Sequence, residues 1–150
     1  METVWIVVAD RSRARIFEEV RPPRLLQEIA DFVNPVGRAS HRELTSDAAG
    51  RSRSTGLGTR AHSESPGTTQ DTHEAERFAR EIAHYLDKGR NEHRYAKLWL
   101  VAAPKFLAML RKSVSREVSK MVEREADKDL SRATLREIDA FIVGHRRPLS

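Results

Sequence analysis

An unbroken apolar run, Val4-Trp5-Ile6-Val7-Val8-Ala9, stands close to the start of the chain. Such a run is typical of a strand buried on both faces, because a half-exposed strand shows polar residues at alternate positions. A second run of this kind, Leu98-Trp99-Leu100-Val101-Ala102-Ala103, precedes Pro104, which suits the first turn of a helix. The two runs predict buried strands, the second of which leads into a helix, and they place Trp5 and Trp99 in the core.

The residues that follow the first run predict a three-stranded meander. Residues 13–20 alternate loosely, with Ala14 and Ile16 on one face and Phe17 beside two arginines on the other. Pro22-Pro23 predicts the next turn, and residues 24–33 fit a third strand.

Residues 34–72 differ in composition from the rest of the chain. They hold five of its seven glycines, many Ser and Thr residues and almost no large apolar side chains. Such a segment buries too little surface to offset its chain entropy, and loops of this length are usually functional or disordered. The sequence therefore predicts a long flexible loop over residues 34–72.

Cap residues and helical spacing predict the elements that follow. Asp71 is expected to cap a helix that ends at Gly89, Ser113 a short helix, and Ser131 the last helix. Residues 121–126 alternate as an edge strand does. The order of elements predicts one α/β domain over residues 1–150, with a mixed β-sheet flanked by helices as in ribonuclease H-like domains.

Composition excludes several classes of protein. The 150 residues contain no cysteine, which excludes disulfide frameworks, thiol nucleophiles and Cys-ligated metals. No apolar run approaches the roughly 18 residues of a membrane span, so we expect no membrane span and a cytoplasmic location. A net charge of +5 favours an acidic or phosphate-bearing partner. We expect no cofactor and no bound metal.

Basic residues in the long loop and in the next helix are candidates for binding RNA. Backbone N–H groups that glycine leaves accessible, and the guanidinium groups of arginine, suit phosphate oxygens. The alternative for the loop is a solvated, disordered segment. In the loop these residues are Arg51, Arg53, Gly56, Gly58 and Arg60. In the helix, residues on one stripe are Arg77, Arg80, His84 and Lys88. The alternative for the stripe is ordinary pairing of Glu76 with Arg80 and of Arg77 with Glu81.

Aspartates at the ends of predicted strands suggest a different chemistry. Asp10 follows the first strand, and Asp127 and Asp129 follow a later one. Three converging carboxylates suit magnesium in a nuclease or phosphoesterase. The alternative is that these aspartates serve as turn and cap residues.

Several short motifs along nearly the whole chain match one known group of proteins. They are Val8-Ala9-Asp10, Arg13-Ala14-Arg15-Ile16-Phe17, Ser46-Asp47, Gly50-Arg51, His73-Glu74-Ala75-Glu76-Arg77-Phe78-Ala79, Leu100-Val101-Ala102-Ala103-Pro104-Lys105-Phe106-Leu107 and Asp127-Lys128-Asp129-Leu130. With these motifs the chain resembles the host attachment proteins, small bacterial proteins required for attachment to host cells. Direct participation in attachment is one function that this resemblance implies.

The host attachment family is in turn similar to the middle domain of eukaryotic and archaeal peptide-chain release factors, whose long helix starts like Arg77-Phe78-Ala79-Arg80. Their catalytic Gly-Gly-Gln has no counterpart at Gly56-Leu57-Gly58, so peptide release is not implied. The resemblance implies a translation-related, non-enzymatic protein that docks on RNA or the ribosome. A metal-dependent enzyme and a host attachment factor stay as alternatives.

Overall fold

The computed structural model describes residues 2–35 and 66–146, which form five strands and four helices. The strands are β1 (Glu2–Ala9), β2 (Arg13–Arg21), β3 (Leu25–Val33), β4 (Lys97–Ala102) and β5 (Val122–Ala126). The helices are α1 (Pro66–Asn91), α2 (Pro104–Ser113), α3 (Arg116–Ser119) and α4 (Leu135–His145). The predicted α/β class is confirmed.

The five strands form one mixed sheet in the order β3-β2-β1-β4-β5. The central strand β1 runs antiparallel to β2 and parallel to β4, so Ile6 lies between Phe17 and Trp99. On the outside, β3 is antiparallel to β2, and β5 is parallel to β4. The predicted meander, the helix-linked strands and the edge position of β5 are therefore confirmed.

Strand β1 is buried on both faces, as its apolar run predicts. Trp5, Val7 and Ala9 pack against α1, α2 and α3, whereas alternate residues of the strand pack against α4 on the other face. Trp5 is fully buried and Trp99 is 3% exposed, which confirms that both tryptophans belong to the core.

The second face of β2 is buried although its sequence is charged. Phe17 is fully buried beneath α4, and Arg15 is only 8% exposed. The Arg15 guanidinium pairs with Glu28 at 3.0 Å and donates to the backbone carbonyls of Ser131 and Ala133 at 3.3 and 2.6 Å. Arg15 therefore fastens the segment before α4 to the sheet.

Helix α1 begins earlier than the sequence predicts. It starts at Pro66, so the predicted loop over residues 34–72 is wrong for residues 66–72, and Asp71 lies inside the helix instead of capping it. A proline is favoured in the first turn of a helix, where its missing N–H costs no hydrogen bond. The small polar residues around it obscured this start signal.

Gly89 does not end α1, which continues to Asn91. A Cβ atom at Gly89 would lie 2.6 Å from Cη2 of Trp5, too close for any side chain to fit without movement. The glycine is therefore required by close packing of the helix on Trp5.

The caps of the two shorter helices also differ from the predicted ones. Ser115, not Ser113, caps α3, and Thr134, not Ser131, caps α4. Thr134 forms a reciprocal capping box with Glu137, since each side chain bonds to the other residue's backbone N–H. Several Ser and Thr residues near each helix start compete for the cap, and sequence spacing alone did not select the correct one.

Within residues 2–35 and 66–146, no helix combines the length and the apolar character that crossing a membrane requires.

Candidate functional site at the carboxyl end of the sheet

The parallel strands β1, β4 and β5 end at the same edge of the sheet, where the chain leaves β1 toward β2 and leaves β4 toward α2. Ligands of open α/β sheets bind outside the carboxyl ends of the strands, at the point where neighbouring connections diverge. Asp10 follows β1, Ala103 follows β4, and Asp129 follows β5. A ligand-binding site is therefore expected at this edge of the sheet.

Asp10 is held firmly by its neighbours. Its Oδ1 accepts hydrogen bonds from the backbone N–H groups of Ser12 and Arg13 and from the Ser12 hydroxyl, at 2.8 to 2.9 Å. Its Oδ2 lies 3.0 Å from the Ser131 hydroxyl. The turn role anticipated for Asp10 is thus real, and the same carboxylate also connects two distant parts of the chain.

Ser131 joins Asp10 to Asp129. Its hydroxyl oxygen lies 2.7 Å from Asp129 Oδ1 and 3.0 Å from Asp10 Oδ2, and the residue is 1% exposed. A hydroxyl carries one hydrogen, so it donates to only one of these carboxylates at a time. Sequence reasoning assigned Ser131 to a helix cap; the spacing Asp129-x-Ser131, typical of a turn closed by an aspartate, was the signal for this arrangement.

The three candidate aspartates do not all converge. Asp10 and Asp129 share Ser131, whereas Asp127 is exposed and is not part of the wall around them. Among residues 2–35 and 66–146, no three His, Cys, Asp or Glu side chains are grouped to hold a metal ion. The magnesium hypothesis therefore lacks a third protein ligand in this part of the chain.

A cavity of about 540 Å³ opens beside Asp10, and we call it the carboxyl-end cavity. It is lined by Asp10, Arg11, Ser12, Asp71, Thr72, Ala75, Ala103, Lys105, Phe106, Met109, Asp129 and Arg132. Three of these residues, Arg11, Lys105 and Arg132, are exposed cations that form no ion pair with any described residue. Sequence reasoning missed all three cations, because each adjoins the end of a different strand.

Helix α1 presents its predicted basic stripe to solvent. Arg77, Arg80, His84 and Lys88 are all exposed. Arg77 pairs with Glu74 at 2.8 Å and with Glu81 at 3.9 Å.

The other three stripe residues, Arg80, His84 and Lys88, have no ion-pair partner in the described part of the chain. The anticipated pair of Glu76 with Arg80 does not form, since Glu76 lies beside His73 instead. The pairing interpretation therefore accounts for Arg77 and not for the rest of the stripe.

The loop candidates Arg51, Arg53, Gly56, Gly58 and Arg60 lie outside the described residues. The described part before the loop ends at Pro35. The preceding residue, Asn34, donates from its backbone N–H to the Ser12 carbonyl at 2.9 Å and from its side-chain amide to the Arg11 carbonyl at 3.0 Å. Asn34 is thus fixed to the turn after β1, whose Arg11 and Ser12 line the carboxyl-end cavity.

The opposite end of the sheet carries a dense set of ion pairs, which we call the amino-end cluster: Glu2, Glu19, Arg21, Arg24, Lys97, Glu123 and Arg146. The Glu19 carboxylate is 1% exposed and contacts the guanidinium groups of Arg24, at 2.5 Å, and Arg146. Arg21 reaches both Glu2, at 2.6 Å, and Glu19, at 3.7 Å. This cluster was not recognised in the sequence, because its members come from four strands, the turn between β2 and β3, and the residue after α4.

Two pKa shifts show how closely the amino-end charges interact. Burial opposes the charged form of Glu123, but hydrogen bonds from Trp99 and Lys97 outweigh it and lower the pKa of Glu123. Hydrogen bonds to Glu123 and Glu2 raise the pKa of Lys97. The cations and carboxylates at this end thus stabilise each other's charged forms.

A comparison with protein families matches residues 5–141 to the family described as protein required for attachment to host cells. The chain belongs to the host attachment family. The resemblance seen in the sequence motifs is therefore confirmed for this family. The match includes all of the residues that line the carboxyl-end cavity of this host attachment family member. No curated protein matches the chain.

Proposed function

We propose that this member of the host attachment family is a non-enzymatic RNA-binding protein that acts at the ribosome. The observation that carries the proposal is the row of exposed cations on α1 that no carboxylate of the described residues neutralises. Phosphate groups are the partner that such a row suits, because each cation that meets a phosphate releases a counterion.

Only some of the cations on α1 lack an ion-pair partner among the described residues. Arg77 and Arg90 are paired, with Glu74 and with Asp87, whereas Arg80, His84 and Lys88 are not. Ion pairing removes most of the positive potential that a cation offers to a distant anion. The unpaired residues therefore form the electrostatic footprint of the helix.

The described residue Asn34 lies next to the basic stripe, because its side chain accepts a hydrogen bond from Arg77 at 3.4 Å. The segment that carries the loop arginines follows Asn34 in the sequence. In this proposal, Arg51, Arg53 and Arg60 contact the same RNA as Arg80 and Lys88.

Salt dependence of RNA binding tests the role of α1. We expect the double variant Arg80→Ala/Lys88→Ala to bind single-stranded RNA more weakly and to flatten the slope of log affinity against log salt by about 1.4 for two lost phosphate contacts. The matched control Lys128→Ala/Arg136→Ala removes the same charge beside α4, on the other face of the sheet, and should leave the slope unchanged. Equal slopes in the two variants would refute the proposal.

Sedimentation of the tagged protein from cell lysate through sucrose tests the ribosomal part. We expect co-migration with ribosomal particles at physiological salt, and its loss in the variant Arg51→Ala/Arg53→Ala/Arg60→Ala. A wild-type protein that stays at the top of the gradient would refute ribosome association. In that case RNA binding would have to be explained without the ribosome.

The family's description favours a second candidate function, direct participation in attachment to host cells. This function requires the protein at the cell surface, whereas RNA binding places it in the cytoplasm. Cell fractionation separates the two: surface recovery would support direct attachment, and recovery in the cytosol alone would contradict it.

A further inference from the structure

We propose that the carboxyl-end cavity binds a single nucleotide, either free or as the unpaired phosphorylated end of an RNA. In its RNA form this inference rests on the proposed function and names the group of the RNA that the protein recognises. In its free form it is independent of that function. The chemistry to be recognised is the same, a nucleoside monophosphate.

The cations of the cavity supply a phosphate subsite. Arg11 comes from the turn after β1, Lys105 from the first turn of α2, and Arg132 from the segment after β5. Three separate connections thus bring one cation each to the same space. Because no described carboxylate pairs with them, their hydrogen-bond donors are available for phosphate oxygens, to which arginine forks bind in a bidentate manner.

The apolar wall of the cavity is wider than a phosphate needs. It is formed by Ala75, Ala103, Phe106 and Met109. Phe106 is 2% exposed and packs against Phe78, with 5.8 Å between ring centroids, so this part of the wall is fixed. Met109 is half-buried and adaptable in shape. A flat, largely apolar base fits such a wall, whereas inorganic phosphate gains nothing from it.

Polar groups for the sugar and the base also line the cavity. Asp129 uses Oδ1 to hold Ser131, while its Oδ2 accepts no hydrogen bond from the described residues. A ribose hydroxyl or a base N–H is a suitable donor to it. Asp10, by contrast, already accepts three hydrogen bonds on Oδ1 and has the Ser131 hydroxyl 3.0 Å from Oδ2, which disperses its charge and weakens its repulsion of a phosphate.

The volume agrees with this occupant. Cavities that enclose small ligands are usually about 300 to 1,000 Å³, and the carboxyl-end cavity is about 540 Å³. The cavity is therefore large enough for one nucleotide.

Calorimetric titration of the full chain with each of the four nucleoside 5′-monophosphates tests the proposal. At least one should bind more tightly than both inorganic phosphate and the matching nucleoside. Arg11→Ala/Arg132→Ala should weaken that binding by about tenfold or more. Met109→Gln should weaken nucleotide binding and leave phosphate binding unchanged, because it makes the wall polar without adding charge, while the control Lys128→Ala/Arg136→Ala should bind as the wild type does. Circular dichroism verifies that each variant is folded.

RNA oligonucleotides that differ only in a 5′-phosphate or a 5′-hydroxyl distinguish the two sources of the nucleotide. Tighter binding of the phosphorylated RNA, lost in Arg11→Ala/Arg132→Ala, identifies an RNA end; equal binding, together with monophosphate binding, identifies a free nucleotide. The proposal is overturned if neither monophosphates nor the 5′-phosphate contribute, or if phosphate alone binds as tightly as the nucleotide. If RNA binding still depends on Arg80 and Lys88 in that case, the cavity proposal alone has failed.

Discussion

The two ends of the same sheet use charge in opposite ways. At the amino end, Glu19 is buried among arginines, and Lys97 lies between two carboxylates. At the carboxyl end, Arg11, Lys105 and Arg132 surround a cavity without pairing with any carboxylate of the described residues. The amino-end charges pair with one another, while these three carboxyl-end cations stay available to a ligand.

This difference separates charges that stabilise the fold from charges that can serve binding. A buried carboxylate that loses its partners, or a cation cluster that loses its carboxylate, costs stability. Removing an exposed, unpaired cation changes the free energy of unfolding very little. Stability measurements on the two ends therefore test the comparison directly.

The largest effect is expected at the centre of the amino-end cluster. Glu19→Gln removes a charge that Arg21, Arg24 and Arg146 share, and we expect a loss of about 3 kcal/mol in the free energy of unfolding. Its control is Glu125→Gln, which breaks the exposed pair with Arg111 and should cost at most about 1 kcal/mol. Denaturant unfolding measures both.

The same unfolding experiment applied to the carboxyl-end cations completes this test. Alanine at Arg11, Lys105 or Arg132 should change stability by no more than about 0.5 kcal/mol each. Losses as large as that of Glu19→Gln would contradict the distinction between the two ends.

Close packing near the amino end gives the next effect. Gly89→Ala places a Cβ atom against Trp5, and we expect a loss of about 1 to 3 kcal/mol from overpacking. The matched variant is Gly144→Ala in α4, where nothing lies within 4 Å of the added atom and the higher helix propensity of alanine should stabilise by up to about 1 kcal/mol. If both substitutions changed the free energy of unfolding in the same direction, the packing of Gly89 on Trp5 would not be tight.

A smaller effect is expected at the Ser131 bridge of the carboxyl end. Ser131→Ala leaves Asp10 Oδ2 and Asp129 Oδ1 without this hydroxyl, at a cost of about 1 kcal/mol in thermal or denaturant unfolding. Ser12→Ala should cost less, because Asp10 Oδ1 keeps two backbone N–H donors. A larger loss for Ser12→Ala would place the important contact in the turn instead of the bridge.

The smallest effect is a change in acid sensitivity at both ends. A hydrogen bond from Arg13 lowers the pKa of Asp31 below its ordinary value of 3.8. Hydrogen bonds from Trp99 and Lys97 lower the pKa of Glu123 below its ordinary value of 4.5. A lowered folded pKa adds stability that is present above the unfolded value and is lost as the pH falls through the folded one. Asp31→Asn and Glu123→Gln should each make the fall in unfolding free energy below about pH 5 less steep than in the wild type. Unchanged slopes would contradict the pairing.

The sequence predicted the strands well and the helix caps poorly, for a physical reason. Unbroken apolar runs such as residues 4–9 fit few environments other than a buried strand. Caps depend on which of several neighbouring hydroxyls reaches a backbone N–H, and Ser115 and Thr134 were chosen by tertiary packing. The burial of Phe17 was also beyond reach, because it depends on α4 covering that face of β2.

The candidate site could be predicted only in part. Asp10 and Asp129 were correctly recognised as residues at strand ends, which the sheet brings together. Ser131 lies 121 positions from Asp10, and no local pattern indicates that its hydroxyl joins the two aspartates. The basic stripe on α1 followed from helical spacing, whereas the state of pairing of each cation required the structure.

The contacts by which Arg15 fastens the segment before α4 to the sheet have a consequence for the order in which the chain folds during synthesis. Arg15 is made early, but the carbonyl of Ser131 that it binds lies 116 residues later. The strands β1, β2 and β3 can pair with one another as soon as they are synthesised. The other edge of β1 stays open until β4 has been made and pairs with it. Until the segment before α4 emerges, the Arg15 guanidinium has Glu28 but lacks its two backbone carbonyl acceptors, and long-range contacts of this kind slow folding and expose intermediates to aggregation. We therefore expect a nascent chain that stops before Ser131 to depend on chaperones more strongly than the 150-residue chain does.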